Sequence, residues 1–468
     1  MRRTLALWLL LFGVYAATLG LDAFGASEYA GDEPHYLLAA ESIVEDGDVD
    51  VLDEYATRQY ADFYPYPLDR HGRETEGRLN EPHGVGFPLF IAPAYAVAGV
   101  RGVELFLAVI AALAVALAYR IALRVVPDPW ALGAALAVGL SPPLVAYGTA
   151  VYPELSAAAA LAGAALLALR LDERISRRDA FGCYLLLGTL PWLGTKFVAA
   201  GLVIALFAAR PLWRSRRRTL AVGAVELSLF SVALYVAINE AVYGGPTPYA
   251  ADVEGETATD ASFPGGYPGR AYRLVALFID REYGLLRWAP VFALAFGGLW
   301  WLWHARRDRV TQAVPGVRRI ELAAGLCAAV LGAQLLVAAF GAPTMFGFWF
   351  PPRHLLAALP LAVPLVAWGL RHLPRLGTAL ALLTVAASVW LYADVRWADG
   401  SLAAAADRPD APFGPLTDAL PLFAPDGGWT YWLAGAVGVA VALLVLREAR
   451  AARHSRQTAG GTRVKYSE

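Results

Sequence analysis

Residues 31–36 place two carboxyl groups beside an imidazole and a phenol. Asp32 and Glu33 are adjacent, and His35 and Tyr36 follow within one helical turn. A carboxylate can take a proton from a hydroxyl group, while the neighbouring acid, imidazole and phenol position the reacting molecules. Asp32 can equally be the N-cap of a helix, because Asp shortly before Pro is a common helix start. The motif therefore predicts acid–base chemistry or a helix cap.

Four more charged or titratable residues could act together with this motif. Each has a structural explanation when it is taken singly. Glu154, at the start of an apolar helix, would complement the helix dipole, and Lys196, at a membrane edge, would extend to the headgroups. Arg353, among aromatic residues, would anchor a loop at the interface. The combination of acids and cations favours a common site, whose further candidates are His83, Glu154, Lys196 and Arg353.

The sequence does not predict a metal site. His35 and His83 lack the spacing of metal ligands and have no partner cysteine. Cys183 and Cys327 both lie inside apolar stretches, where they are expected to be small core residues. We therefore assign no metal ligand and no required cofactor, and a requirement for a divalent metal stays open.

The elements that must position these residues belong to a membrane protein. The chain has 468 residues, of which 58% are hydrophobic and 17% charged, and the apolar residues form long blocks. The first block, from Leu5 to Leu21, follows Arg2 and Arg3. Loops rich in arginine recur at the ends of alternate spans. These patterns predict an all-α polytopic protein of the cell membrane with roughly 12 transmembrane helices, cytoplasmic termini, and the acidic motif on the extracytoplasmic face.

Two short helices are expected to lie on the outer membrane surface. The first begins at Pro34, has an apolar side and ends at Gly47. The second is the apolar segment from Phe87 to Val97, which is too brief to cross the bilayer. A spanning helix from Val103 to Val125 is expected to follow it.

The loop pattern divides the chain into two membrane modules and a tail. Residues 1–218 are predicted to form the catalytic transmembrane module, which includes the acidic outer loop 22–99. Residues 219–450 are predicted to form a variable C-terminal module. The tail, residues 451–468, is polar and is expected to be disordered. The predicted outer loops of the C-terminal module are 243–287, 341–354 and 393–428.

Acids and cations at a membrane face suit transfer of a group from a lipid phosphate. A lipid-linked phosphosugar has a tail in the bilayer, a phosphate at the headgroup level and a sugar in water. One carboxylate would take the proton of the acceptor hydroxyl, and fixed cations would stabilise the negative charge on the leaving phosphate. A single in-line displacement needs one base and inverts the sugar configuration.

The motif resembles the signature of membrane-embedded GT-C glycosyltransferases, of the protein O-mannosyltransferase and aminoarabinose lipid A transferase type. The resemblance starts at residues 31–36, continues through Glu81-Pro82-His83-Gly84 and Phe87-Pro88-Leu89, and reaches Tyr152-Pro153-Glu154. It covers roughly residues 5–218. Relatives often carry a basic residue before the second surface helix, where this chain has His83.

The resemblance implies a role for each candidate. Asp32 is the expected base and Glu33 a supporting acid, whereas Lys196 and Arg353 are expected to bind the donor phosphate. The expected partners are a polyprenyl-phosphate sugar donor and the lipid bilayer, with no nucleic acid, and the acceptor is open. The residues expected to position acceptor or donor are Glu154, His35, Tyr36 and His83.

Two other functions stay open from the sequence. A transporter or lipid-linked glycan flippase would use ionisable residues near the middle of the membrane, for which Glu226, Gln334 and the pair Pro142-Pro143 are the chief candidates. No repeat between the two halves is visible, which is unlike many transporters. A non-catalytic assembly subunit with an acidic outer region would tolerate neutralisation of Asp32.

Overall fold

The protein is almost entirely helical in the computed structural model, which describes residues 1–72, 74–215, 217–251, 266–305, 315–347, 349–408, 411–423 and 428–463. Parts of the three predicted C-terminal outer loops lie outside these ranges, as do residues 464–468 of the predicted tail. The first ten helices are α1 (Arg2–Ala16), α2 (Glu33–Glu45), α3 (Leu52–Thr57), α4 (Gly86–Ala122), α5 (Trp130–Gly139), α6 (Pro142–Ala146), α7 (Glu154–Glu173), α8 (Arg177–Leu193), α9 (Val198–Arg214) and α10 (Arg218–Tyr243).

The C-terminal part contributes nine further helices, and the last of them continues into the tail that was expected to be disordered. Short 3-10 turns connect several of these elements. The helices are α11 (Gly266–Gly269), α12 (Arg273–Ile279), α13 (Leu285–Trp288), α14 (Ala293–Ala305), α15 (Pro315–Leu336), α16 (Val363–His372), α17 (Pro374–Trp397), α18 (Gly414–Thr417) and α19 (Trp429–Arg463). Two short antiparallel strands, β1 (Glu74–Thr75) and β2 (Arg78–Leu79), form the only named sheet of the described residues.

Among the residues that the structure describes, seven helical segments are long and apolar enough to cross a membrane. The shorter apolar helix α5 does not reach this length. The all-α membrane architecture agrees with the sequence prediction, whereas the count of about twelve spans and their orientation stay predictions. The seven segments are Gly86–Ala122, Glu154–Glu173, Thr195–Arg214, Arg218–Ala250, Arg319–Gly341, Pro374–Trp397 and Trp429–Glu448.

Helix α2 is not the amphipathic surface helix that the sequence predicted. All residues from Glu33 to Ser42 are buried, because the helix packs against α4 on one side and beneath the polar loop on the other. A separate small core forms under that loop, from Leu38 of α2, Val51, Tyr55 and Leu79 among others. The loop that carries His71, Glu81 and His83 therefore packs on this helix.

Helix α4 joins the two apolar segments that the sequence separated. Ala98 and Gly99 have non-helical backbone angles, and Gly99 has a φ of +58°, so the helix is kinked between a first part that starts at Gly86 and a second part that crosses the bundle. A glycine tolerates this left-handed angle without a clash of its side chain. The predicted division into a short segment and a spanning helix corresponds to the two sides of this kink.

Ion pairs join the predicted cytoplasmic loops at the end of the bundle that lies away from α2. Arg3 lies 2.6 Å from Asp128, and Arg124 lies 2.8 Å from Glu173. These contacts connect loops that the arginine pattern had assigned to one face. The orientation of these spans in the membrane stays a prediction.

Candidate active site

A polar cavity of about 680 Å³ opens where α2, the loop after β2, the turn between α8 and α9, and the segment after residue 342 meet. Four of the residues singled out from the sequence line its wall directly, together with Tyr36. Aromatic and proline residues supply much of the rest. The charged and titratable lining residues are Asp32, Asp69, Arg70, His71, His83, Lys196 and Arg353.

Arg353 connects the two acidic motifs. Its Nη2 donates to Asp32 Oδ2 at 2.6 Å, and its Nε donates to Glu154 Oε1 at 2.9 Å. The guanidinium lies 4.0 Å from the ring centre of Tyr152 and 5.2 Å from that of Trp349, within the range of cation–π attraction. The side chain of Arg353 is only 5% exposed. The two acids and the aromatic rings thus hold the planar, permanently charged guanidinium of Arg353 rigidly at the cavity wall.

Lys196 reaches the same place from another element. It belongs to a short 3-10 turn, Thr195–Phe197, which starts after Gly194 at the end of α8 and leads into α9. Its Nζ donates to Glu154 Oε1 at 2.7 Å, so this oxygen accepts from both cations. Glu154 is itself the first residue of α7 and is 1% exposed. The carboxylate of Glu154 therefore holds Lys196 and Arg353 side by side, with Lys196 facing the cavity.

Asp32 occupies the N-cap position of α2, but its side chain makes no cap hydrogen bond. It turns towards Arg353, and its second oxygen lies 3.7 Å from His83 Nε2. Burial alone would raise the pKa of Asp32, but the charge of Arg353 and the hydrogen bond and charge of His83 hold that pKa well below its usual value. Asp32 is thus ionised and partly exposed to the cavity.

Glu33 faces away from the cavity. Its Oε1 accepts from the backbone N–H of Ala30 at 3.1 Å, and its Oε2 accepts from that of Val151 at 2.7 Å. Burial raises the pKa of Glu33 to about 8, although both backbone bonds act in the opposite direction. The two adjacent acids of the motif therefore have different surroundings, and Glu33 fastens α2 to the loop before α7.

His83 and Tyr36 lie at the cavity, whereas His35 lies behind them. The Tyr36 ring packs edge-on against His83, at 5.4 Å between ring centres. The acids on either side, Asp32 and Glu81, outweigh the effect of burial and raise the pKa of His83 to about 9. His83 is thus a cation at neutral pH, at the position where relatives often carry a permanently basic residue.

A cluster behind His83 was not predicted from the sequence. His35, His71, Glu81 and His83 each offer a ligand atom, and these atoms lie within 4.8 Å of one another. His71 follows a long irregular segment, and the sequence gives no period or spacing that would bring it to His35. Glu81 was noted only as part of the motif that leads into α4, whereas His83 was expected to position the acceptor or donor.

Three aromatic residues of the site also lacked a functional signal. Tyr152 and Trp349 pack on Arg353, and Tyr249 lines the cavity from the segment after α10. Tyr152 is adjacent to the Pro153-Glu154 pair, so its position in the motif was the available signal. Trp349 and Tyr249 lie in loops whose aromatic content was interpreted as an interface belt.

An apolar cavity of about 220 Å³ lies near the polar one. Its wall includes Leu355, Ala358 and Leu359, which follow Arg353 within six residues, and Gly332 on α15. The wall contains no charged side chain. An apolar wall of this kind suits a hydrocarbon chain.

The charges at the polar cavity suit an anionic, phosphate-containing ligand. Two cations, Lys196 and Arg353, are held by two carboxylates, so the cation pair remains fixed in the absence of a ligand. Such fixed donors can stabilise charge on a phosphate without reorganising. Asp32 lines the cavity with its side chain 27% exposed, so it could accept a proton from a hydroxyl group there.

Comparison with solved structures found two proteins that are similar to this chain. ArnT from Cupriavidus metallidurans in the apo state matches with a TM-score of 0.52 and 15% identity, over 96% of this chain and 73% of ArnT. The same protein bound to undecaprenyl phosphate gives a TM-score of 0.49 at 15% identity and the same coverage. AglB from Archaeoglobus fulgidus, an oligosaccharyltransferase in complex with an inhibitory peptide and a dolichol-phosphate, gives 0.42 at 12% identity, over 89% of this chain and 55% of AglB.

No protein-family model matches the sequence, and no curated protein matches it significantly. At 15% identity the likeness to ArnT is one of fold. ArnT is an aminoarabinose lipid A transferase, the type that residues 31–36 and the motifs after them resemble. The chain has the fold of the GT-C membrane glycosyltransferases.

Proposed function

We propose that the protein is an inverting glycosyltransferase that moves a monosaccharide from a polyprenyl-phosphate donor to an acceptor hydroxyl on the extracytoplasmic face of the membrane. The observation that carries the proposal is that Asp32, Lys196 and Arg353 line one cavity, while the buried Glu154 forms ion pairs with both cations. These residues come from four distant parts of the chain. Unrelated interfacial anchors would have no reason to converge.

In this proposal Lys196 and Arg353 bind the donor phosphate. The sugar occupies the polar cavity near Tyr36 and His83, and the first part of the lipid tail lies in the apolar cavity that follows Arg353. Because both cations are already held by Glu154, little ordering is needed when the phosphate arrives.

Asp32 acts as the base. The acceptor oxygen attacks the anomeric carbon, its proton passes to Asp32, and the bond from that carbon to the phosphate oxygen breaks. The electron pair of this bond leaves with the lipid phosphate, whose additional negative charge meets Lys196 and Arg353. The low pKa of Asp32 makes it a weak proton acceptor, so the reaction needs an acceptor hydroxyl that is well oriented.

A transporter is less well supported by the residues that had suggested one. Gln334 is buried and its side chain donates to the backbone oxygen of His354 at 2.9 Å, which is a structural contact. Glu226 is exposed on α10. Neither lines the polar cavity, whereas the acids and cations of the glycosyltransferase proposal meet there.

The test is transfer of a labelled sugar from a polyprenyl-phosphate donor by membranes that contain the protein. Asp32→Asn removes the base and should lower the rate by about 10²- to 10⁴-fold, with normal accumulation of the protein. Asp62→Asn, which changes an exposed aspartate of the same outer region, is the matched control. Full transfer by Asp32→Asn would remove the basis of the assignment. Movement of the intact lipid across proteoliposomes without covalent transfer would favour a flippase instead.

A further inference from the structure

We propose that His35, His71, Glu81 and His83 form a tetrahedral site for a divalent transition metal, of which Zn²⁺ fits best. The site lies beside the polar cavity and behind its His83 wall. It uses residues from three places: His35 on α2, His71 before β1, and Glu81 and His83 after β2. Its existence is independent of the proposed glycosyl transfer.

The spacing of the ligand atoms fits a small metal ion. In a tetrahedral site with ligands at about 2.1 Å from zinc, neighbouring ligand atoms are about 3.4 Å apart. His83 Nδ1 lies 3.6 Å from Glu81 Oε2, which is close to this separation. The ligand atoms of all four residues lie within 4.8 Å of one another, and the side chain of His71 is exposed.

Two buried atoms of the cluster have no hydrogen-bond partner among the described residues. They are Glu81 Oε2 and His83 Nδ1, and Glu81 is only 6% exposed. Each unpaired buried polar atom costs about 1–3 kcal/mol. A metal ion between them would replace the proton on His83 Nδ1 and satisfy both atoms at once, because these two ligand atoms face each other.

The neighbours of Glu81 resemble the outer shell of a metal site. The hydroxyl group of Tyr55 donates to Glu81 Oε1 at 2.7 Å and lies 2.9 Å from His35 Nδ1. The backbone N–H of His71 also points to Glu81 Oε1, at 3.4 Å. These contacts orient the carboxylate so that Oε2 is directed at His83, in the manner by which second-sphere hydrogen bonds orient metal ligands.

The chemistry of the ligands selects the metal. Three imidazoles and one carboxylate suit Zn²⁺, whereas Mg²⁺ and Ca²⁺ prefer six or more oxygen ligands. Four protein ligands complete a tetrahedral shell and leave no open position, which is typical of a structural zinc site. The exposed edge of His71 provides the route of entry.

The metal would fix the loop that covers α2. It would also hold the His83 ring in place, and His83 Nε2 faces Asp32 at 3.7 Å. An effect of the metal on sugar transfer through this contact rests on the proposed function. Binding of the metal does not, and it is therefore measured separately.

The experiment uses the purified full-length protein in detergent, stripped with a chelator and then dialysed against Zn²⁺ without any sugar donor. The bound metal is counted by mass spectrometry, and Co²⁺ is used as a spectroscopic probe of tetrahedral coordination. His71→Ala and His83→Ala remove one ligand each. His372→Ala, which removes an exposed histidine of α16 outside the cluster, is the matched control.

We expect one Zn²⁺ per chain and a tetrahedral Co²⁺ spectrum for the unchanged protein and for His372→Ala. Zn²⁺ should raise the unfolding temperature of both. The two ligand variants should bind at least tenfold more weakly and lose this stabilisation. Absence of stoichiometric Zn²⁺ from the unchanged protein, or undiminished binding by His71→Ala, would overturn the proposal. His71 is exposed, so His71→Ala is not expected to fail by misfolding.

Discussion

The guanidinium of Arg353 lies 2.6 Å from the carboxylate of Asp32, although 321 residues separate them in the chain. The same guanidinium donates to Glu154 at 2.9 Å. One cation therefore fixes the distance between the two acidic motifs. Because its side chain is nearly buried, the arrangement depends on the planar fork of an arginine more than on its charge alone.

Arg353→Lys tests this dependence on shape. A lysine keeps the charge but cannot donate along two fixed directions to Asp32 and Glu154. If the proposed function is right, the rate of transfer should fall by about 10²-fold, which is typical for loss of one preorganised donor. Arg101→Lys, in a partly exposed ion pair with Glu28 and Glu104, is the control. Equal rates for the two variants would show that Arg353 does not stabilise the leaving phosphate.

Glu33→Ala tests whether Glu33 has a structural role that differs from the role of the adjacent Asp32. It removes the acceptor of two buried backbone N–H groups, those of Ala30 and Val151, at a cost of about 1–3 kcal/mol for each. The expected result is a lower unfolding temperature in detergent with a near-normal rate per folded molecule. Glu45→Ala, at the exposed end of the same helix, should change neither quantity. A stable Glu33→Ala protein without activity would instead assign Glu33 to the chemistry.

The sequence allowed the class of fold and part of the site to be predicted. Long apolar blocks and the arginine pattern are local signals, so the all-α membrane architecture could be inferred from them. Asp32 and Glu154 were identified from their motifs, and Lys196 from its place at a predicted membrane edge. Their common cavity depends on tertiary packing, and no local pattern reports it.

The remaining features could not be predicted for physical reasons. Whether Asp32 caps α2 or pairs with Arg353 is decided by a partner 321 residues away. The burial of α2 on all sides depends on the loop above it, since its sequence has the mixture of polar and apolar residues of a surface helix. His71 joins His35 and His83 through the path of an irregular loop, for which sequence spacing carries no information.

Gly332→Phe tests whether the apolar cavity accommodates the lipid part of the donor. A side chain at Gly332 meets no atom within 4 Å at its Cβ and would extend into the cavity. Under the proposed function, KM for the polyprenyl-phosphate donor should rise about tenfold or more, with little change for a short-chain analogue. Gly325→Phe, on the exposed side of the same helix α15, is the control. An equal KM for both donors would place the tail elsewhere.

Gly298→Ala tests the contact between α14 and α16. A Cβ at Gly298 would collide with the backbone oxygen of Leu365, and one at Gly369 would collide with that of Leu294, so the two helices approach each other through reciprocal glycines. Close approach of this kind is a common way for helices to associate in membranes. Since backbone atoms cannot move aside locally, the expected loss of stability is about 1–3 kcal/mol.

The matched substitution is Gly325→Ala, where a Cβ meets nothing within 4 Å. Alanine in an open helical position is expected to stabilise by about 0.5–1 kcal/mol relative to glycine. The two alanine substitutions should therefore shift the midpoint of thermal unfolding in opposite directions. If Gly298→Ala raised the midpoint as Gly325→Ala does, the close packing of α14 on α16 would not be a feature of the folded protein.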